Sequence, residues 1–399
     1  MKILVLTDKY PPYYDGGYEL ICQQVTDGLR ERGYTLEVLT TTFGVKGNKR
    51  ENYIYRILHH QSLSSQNIFI RRMSQLKNFF QASINYMITR RLAKKISPDL
   101  VFVWHAMGIS ILPILAIQDL GISTVLNIGS HWLYFLRERY VEEPSILKRW
   151  YRSSLIGFRK FEELELDAII MVSEKLKKSY HNAGFDVVNA VVIPTGIPHK
   201  WIARQPFRSR LPESSVRILY VGRLEPAKGP DIAIRSVENL VKSRRYRNVY
   251  LDMIGSGNAG YMDELNQLIV QNNLQKVVKL IGFLSRSELI QRYSQYDMLL
   301  FPTPRFEGLP MTIIEAMANG LTVIASDIGG PSDIIEDGRN GFLVTPGDPV
   351  SMADKIEKII INPSLAAEIG LSAIETVRKK YTLDNMLKEY ENYLKKFVS

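Results

Sequence analysis

Twelve short apolar runs punctuate this chain, and most are followed by a stretch of helical period. In the first half the runs are Lys2–Thr7, Leu36–Thr40, Leu100–Trp104, Thr124–Asn127, Ala168–Val172 and Ala190–Ile193, with helical stretches such as Tyr18–Arg32 and Glu174–Ala183 between them. Such alternation predicts parallel sheets covered by helices on both faces. Pro194-Thr195-Gly196-Ile197-Pro198 breaks the rhythm, and a polar stretch from His199 to Ser215 with Pro206 and Pro212 follows, which reads as a linker. The runs resume at Val216–Val221, Val249–Ile254, Val277–Ile281, Met298–Phe301, Thr322–Ala325 and Gly341–Val344, and helices close the chain, ending at Met386–Lys396. The expectation is an α/β protein of two Rossmann-like, doubly wound parallel-sheet domains facing a central cleft. They would span residues 1–205 and 206–380, and a helix in 381–399 would cross back to the N-terminal domain. Ligands in such sheets bind beyond the carboxyl ends of the strands, so the loops there are the place to look for chemistry.

Composition excludes several classes. Cys22 is the one cysteine, so neither a disulfide framework nor a cysteine-based zinc site is available, which fits a reducing compartment. A lone cysteine on a helical pattern reads as a small buried hydrophobe. The apolar start Met1–Thr7 is too short for a signal-peptide core and ends at Asp8 and Lys9, and the run Gly108–Ile117 contains Pro113 and falls far short of a membrane span. A cytoplasmic protein, soluble or peripheral on a membrane, is expected. The net charge of +10 is uneven: residues 1–205 carry 27 Lys and Arg against 18 Asp and Glu, the rest 24 against 23. Something acidic should therefore meet the N-terminal half.

Two loops in the second half concentrate polar residues. In Val221-Gly222-Arg223-Leu224-Glu225-Pro226-Ala227-Lys228-Gly229 a strand ends and a helix starts, so Arg223 and Lys228 flank a helix N-terminus. Two cations beside free backbone N–H groups suit a diphosphate. In the stretch Phe301 to Gly320 another strand ends, a Pro-rich loop carries Glu307, and a helix begins near Leu309 to Met311 with Glu315 among apolar neighbours. A carboxylate in such surroundings needs partners. Vicinal sugar or ribose hydroxyls would serve, and so would a neighbouring arginine. The N–H groups of Met311 and Thr312 would face a phosphate.

The stretch Glu307 to Glu315 resembles the Glu-x7-Glu motif of glycosyltransferase family 4, a large retaining family with the two-domain GT-B fold. Val221–Gly229, Asp252-Met253-Ile254-Gly255-Ser256-Gly257 and Ala325-Ser326-Asp327-Ile328-Gly329-Gly330 resemble the family too, in order and at family-like spacing across most of 216–345. The first half is similar more loosely. The resemblance implies a retaining hexosyltransferase that moves a sugar from a nucleoside-diphosphate sugar to a hydroxyl acceptor, with the donor in the C-terminal half. Arg223 and Lys228 would hold the diphosphate, Glu315 the ribose hydroxyls and Glu307 the transferred sugar. Gly255, Gly308, Leu309, Met311 and Thr312 would complete the donor set, and the backbone near Phe283 would meet the base. Asp15-Gly16-Gly17-Tyr18-Glu19 resembles the family's Gly-Gly loop, where Gly16 and Gly17 let the backbone approach donor phosphate and acceptor. His131, after the strand Thr124–Asn127, matches a histidine the family places close to the sugar, with His105 as its rival. The chain departs from the family at Thr195-Gly196-Ile197-Pro198, where Asn-Gly-x-Asp is common. The segment Leu133 to Phe161 has no clear family template and is assigned to the acceptor.

No Asp-x-Asp and no His/Cys cluster of ligand spacing occurs. Metal-independent transfer is expected, without a cofactor, with Arg223, Lys228 and the helix N-terminus neutralising the leaving diphosphate. No carboxylate stands out as a nucleophile, which favours front-face attack. Gly255-Ser256-Gly257-Asn258-Ala259-Gly260 is formally a dinucleotide fingerprint, yet the next strand runs into Gly282-Phe283-Leu284-Ser285 and supplies no acid for a ribose. An NAD(P)-dependent oxidoreductase is thus a weaker alternative than a sugar-nucleotide epimerase of the same fold. Finally, Arg71–Lys95 holds seven basic residues and no acid, with Met73, Leu76, Phe79, Phe80, Ile84, Met87, Ile88 and Leu92 at roughly helical spacing. This is either a basic amphipathic helix that docks on an anionic membrane, bringing the enzyme to a lipid-linked acceptor, or a core-facing helix with a solvated basic face. Nucleic acid is not expected, because the aromatic residues are not interleaved as stacking platforms.

Overall fold

The computed structural model describes residues 1–61, 68–141, 161–203, 215–243, 246 and 248–397. They form two compact units, Met1–Ile193 with Leu387–Ser399, and Pro194–Met386.

The first unit runs β1 (Lys2–Thr7), α1 (Gly17–Glu31), β2 (Thr35–Thr41), β3 (Lys49–Glu51), β4 (Ile54–Leu58), α2 (Ile68–Ile96), β5 (Leu100–His105), α3 (Leu112–Gln118), β6 (Thr124–Ile128), α4 (Trp132–Val141), β7 (Ile169–Met171), α5 (Glu174–Asn182) and β8 (Val191–Val192). Its sheet has the order β3-β4-β2-β1-β5-β6-β7-β8. Every neighbouring pair is parallel except β3, which lies antiparallel on β4. Ile3, Leu4, Val5 and Leu6 point alternately to the two faces and are all buried, so helices cover both sides. The β3–β4 pair has no counterpart in the sequence reading. Arg56 interrupts the apolar pattern of β4, yet it is buried, donating to the carbonyls of Tyr10 (3.0 Å) and Pro11 (2.5 Å) and to Glu51 (3.2 Å).

The second unit runs β9 (Val216–Val221), α6 (Pro230–Lys242), β10 (Val249–Ile254), α7 (Ala259–Gln271), β11 (Val278–Gly282), α8 (Arg286–Arg292), β12 (Met298–Phe301), α9 (Met311–Ala318), β13 (Thr322–Ser326), α10 (Pro331–Ile334), β14 (Phe342–Val344), α11 (Pro349–Ile361) and α12 (Pro363–Lys380). Its sheet, β11-β10-β9-β12-β13-β14, is parallel throughout. Helix starts are well specified. Asn258 caps α7, Ser285 and Glu288 form a capping box on α8, and Asp348 caps α11. The last helix, α13 (Leu383–Leu394), belongs from Leu387 onward to the first unit. There Gly28 leaves room for Leu387, Tyr390 packs on Phe102 at 5.6 Å between ring centroids, and Tyr34 donates to Glu391 at 2.7 Å.

Each sheet reverses its winding once. In the first, β2 lies on one side of β1 and β5 on the other; in the second, β10 and β12 flank β9. The crevice beyond the carboxyl ends at such a reversal is where open α/β sheets bind ligands.

Candidate active site

In the second unit the reversal lies between the loops after β9 and β12. Those loops touch: Gly229 has φ +66°, and a Cβ there would stand 2.3 Å from the Pro302 carbonyl oxygen. Across this seam the Lys228 ammonium pairs with the Glu307 carboxylate, and both side chains remain about a fifth exposed (22% and 21%). Arg223, on the same loop as Lys228, is 67% exposed and pairs with Glu225 at 3.0 Å. Glu307 is itself held from behind. Gly330 N–H donates to its carbonyl at 2.8 Å, and Gly329, with φ +68°, brings its Cα so close that a Cβ would lie 2.4 Å from that oxygen. Gly308 and Leu309 lead from Glu307 to Pro310, and α9 opens at Met311 with no side chain capping it. The N–H groups of Met311 and Thr312 are at the positive end of a helix that starts four residues after Glu307.

Glu315 lies one turn further in, buried, with its partners inside the unit. Oε1 accepts from Arg286 Nε (3.1 Å) and Nη2 (2.6 Å), and Oε2 accepts from Tyr293 Oη at 3.0 Å. The arginine's guanidinium also lies 4.3 Å over the Trp201 ring. An arginine was one of the partners the sequence allowed Glu315, but nothing in spacing could say that Arg286, at the start of α8, or Tyr293, just after it, would be set against α9. Phe283 follows β11 and is 76% exposed. The glycines of the dinucleotide-like string have a structural use. A Cβ on Gly255 (φ +151°) would lie 1.8 Å from the Gly222 carbonyl oxygen, and one on Gly257 would lie 2.0 Å from that of Leu224. They let the β9 and β10 loops pack backbone to backbone, which accounts for the pattern without a dinucleotide.

In the first unit the reversal lies between β1 and β5, and their ends carry Asp8 and His105. Asp8 Oδ2 accepts from Gly108 N–H at 2.9 Å and meets His105 Nδ1 at 2.9 Å, while Asp8 Oδ1 is buried with no partner among the described residues. Burial pushes the Asp8 carboxyl up, but the His105 ring and the Gly108 N–H outweigh it and hold the group at about 2. Burial likewise pushes His105 down, and the Asp8 carboxylate reverses the sign, so its pKa is raised. With Nδ1 turned to Asp8, the His105 side chain is 22% exposed, and its ring lies beside those of Tyr18 and Trp132 at centroid distances of 6.2 and 5.8 Å. Gly16 caps α1, its N–H bonded to Glu19 Oε2 at 3.2 Å, and a Cβ on Gly17 would meet nothing within 4 Å. Burial raises the pKa of Glu19 and lowers that of His60, which adjoins Gly108. Asp8 was missed in the sequence although it directly follows the first strand, at the reversal.

His131 is placed differently. Its Nε2 lies 2.8 Å from Ser179 Oγ and its ring 5.7 Å from that of Tyr180, so it ties the start of α4 to α5, and burial lowers its pKa. Of the segment Leu133–Phe161, residues 142–160 lie outside the described residues. Among the described residues no helix is long and apolar enough to cross a membrane, and no group of three or more His, Cys, Asp or Glu could hold a metal ion.

Known proteins resemble both halves of the chain. A family model described as "Glycosyltransferase Family 4" matches residues 15–201, and one described as "Glycosyl transferases group 1" matches residues 202–376. An uncharacterized glycosyltransferase of Methanocaldococcus jannaschii is 25% identical over 99% of this chain and 98% of its own. A poly(ribitol-phosphate) alpha-N-acetylglucosaminyltransferase of Staphylococcus aureus is 33% identical over 43% of this chain and 34% of its own. Among solved structures, Anabaena HepE in complex with UDP and glucose superposes with a TM-score of 0.73 at 19% identity, covering 99% of this chain and 100% of that one. WaaG, a glycosyltransferase involved in lipopolysaccharide biosynthesis, gives 0.66 at 17% identity over 98% and 99%. At these identities the likeness establishes the fold, which is GT-B.

Proposed function

The chain belongs to the family 4 glycosyltransferases, with both halves matched, and from that premise we propose that it moves a sugar from a nucleoside-diphosphate sugar to a hydroxyl acceptor with retention. The observation that carries the donor assignment is the Lys228–Glu307 pair, set across the strand-order reversal of the second unit beside the uncapped start of α9. Lys228 and Arg223 hold the diphosphate together with the N–H groups of Met311 and Thr312. Glu307 contacts the transferred sugar, and Phe283 offers an exposed ring to the base. Glu315 Oε2 accepts one hydrogen bond, from Tyr293, and has lone-pair capacity left for a ribose hydroxyl, while Oε1 is occupied by Arg286. That HepE is solved with UDP and glucose supports the same class of donor.

In the step itself the anomeric carbon–phosphate oxygen bond breaks as the acceptor oxygen bonds to the same face of that carbon. The acceptor proton passes to the leaving diphosphate, whose charge is neutralised by Lys228, Arg223 and the helix end. No metal is assigned a role, so activity should survive a chelator. The acceptor side falls to the first unit, with Gly16, Gly17 and, of the two histidines, His105, whose contact with Asp8 uses Nδ1 and leaves Nε2 for a substrate, where His131 spends Nε2 on Ser179.

Thermal stabilisation by a panel of nucleoside diphosphates tests the reading. A ligand at a hundred times its dissociation constant adds about 2.7 kcal/mol. One base should stabilise the wild type, and Lys228→Ala should lose the effect; a panel that stabilises nothing removes the donor assignment.

A further inference from the structure

The two alternatives for Arg71–Lys95, a membrane-docking face or a core-facing one, differ in where the apolar residues of helix α2 point. Ala82, Asn85, Thr89, Leu92, Ala93 and Ile96 are buried and share one side of the helix, with Asn85 fixed to the His59 backbone by bonds of 2.7 and 2.9 Å. Much of this packed side is polar or small. The large apolar residues Phe80, Ile84 and Met87 recur at i, i+4 and i+7 on the opposite side and are 47%, 37% and 41% exposed. Arg91, Lys94 and Lys95 continue that face toward the C-terminal end and Lys77 precedes it, all exposed. No acidic residue occurs between Glu51 and Asp99. The exposed apolar residues therefore sit within the basic face of the same helix.

We propose that this face of α2 docks the protein on an anionic lipid bilayer, with Phe80, Ile84 and Met87 entering the headgroup–acyl boundary and the lysines and arginines engaging the lipid charges. Charge complementarity selects this occupant. An apolar row inside a cationic frame, along a helix of 29 residues, matches a flat anionic surface with an apolar interior. Long basic side chains can lay their stems along that boundary while their heads stay in water. A soluble partner would need acidic groups framing an apolar groove of the same length, and it is the competing outcome of the test. The inference stands apart from the transferase reading, because docking needs neither donor nor acceptor.

The full chain, without nucleotide, is sedimented with vesicles of phosphatidylcholine alone and with added phosphatidylglycerol. The wild type should bind the anionic vesicles, and salt should weaken binding. Both Phe80→Ser/Ile84→Ser/Met87→Ser and Arg91→Glu/Lys94→Glu/Lys95→Glu should bind at least about tenfold more weakly, while keeping the wild-type melting midpoint and nucleotide response. Emission of Phe80→Trp, as a difference from wild type, should shift to the blue on binding. Failure of the wild type to bind anionic vesicles overturns the proposal and leaves the face to an acidic protein. Undiminished binding by both triple variants, or an unshifted Phe80→Trp emission in sedimenting protein, overturns it equally. Loss of nucleotide response in the wild type would count against the donor site and leave the vesicle result untouched.

Discussion

Arg286 grips Glu315 through two bonds to one carboxylate oxygen, Nε at 3.1 Å and Nη2 at 2.6 Å, while the other oxygen takes Tyr293 Oη. The two ends of this pair are unequally buried, the glutamate side chain 6% exposed and the arginine 21%. Removing the arginine strands a buried carboxylate, whereas removing the glutamate's charge leaves an arginine that still reaches water and still stacks on Trp201. Arg286→Met should therefore cost about 3 kcal/mol and Glu315→Gln about 1–2 kcal/mol, with the double variant recovering part of the larger loss. Urea unfolding of the three variants decides it. An equal or reversed ranking would show that the pair is held by something other than burial of the glutamate.

The Asp8–His105 contact makes a pH prediction. Asp8 is held at about 2, below its ordinary value of 3.8, so its share of stability is present above pH 4 and fades as pH falls toward 2. His105 is raised above 6.5, so its share is complete below that pH and fades as pH climbs through the raised value. The pair should stabilise most between about pH 4 and 6.5. Asp8→Asn should flatten both limbs, cost about 2 kcal/mol in that window and lower the His105 pKa read by NMR. Glu19, Lys9 and His60 also act on this pair and stay in place in the variant. An unchanged His105 titration in Asp8→Asn would assign the raised pKa to Glu19 instead.

Legibility in the sequence followed contact range. Strands packed between two helix layers are mostly apolar, and β9, β10 and β12 are interrupted only by Arg217 and Asp252, so they could be bounded to the residue. The family was readable because its motif residues lie close together, from Glu307 to Glu315. β4 was not readable, because its central Arg56 is satisfied by carbonyls 45 and 46 residues away. For the same reason the partner of Glu315, 29 residues upstream, and that of Asp8, 97 downstream, appear only once strand order sets their elements side by side. Which side of α2 packs was not legible, because Asn85 and Thr89 face inward. Asn85 can do so because two bonds to the chain at His59 satisfy its amide, which no apolar count could anticipate.

Lys228 and Glu307 are partly solvated, and exposed pairs of this kind add little to stability. Lys228→Ala and Glu307→Gln should each shift the unfolding free energy by less than about 1 kcal/mol. Their effect on turnover should be far larger, about a hundredfold or more for the lysine, because a cation aimed at developing charge acts in the transition state. Nucleoside-diphosphate affinity should fall with Lys228→Ala and change little with Glu307→Gln, which separates a phosphate contact from a sugar contact. A parallel loss of stability and turnover in both would make the pair structural.

Two glycines that look alike in sequence should behave oppositely when a methyl is added. Gly255→Ala sets a Cβ 1.8 Å from the Gly222 carbonyl oxygen at φ +151°, so two backbones must part. It should cost at least about 3 kcal/mol and unseat the β9 loop with Arg223 and Lys228. Gly17 lies in the first turn of α1, where an added Cβ meets nothing and helix propensity favours alanine by up to about 1 kcal/mol. Gly17→Ala should melt at or above the wild-type temperature. If a substrate comes to the backbone there, as the Gly-Gly loop assignment requires, turnover falls in a protein that is no less stable. If Gly17→Ala keeps full turnover, the open space beside Gly17 is only solvent, and the approach of substrate to this loop must be reassigned to Gly16 or elsewhere in the first unit.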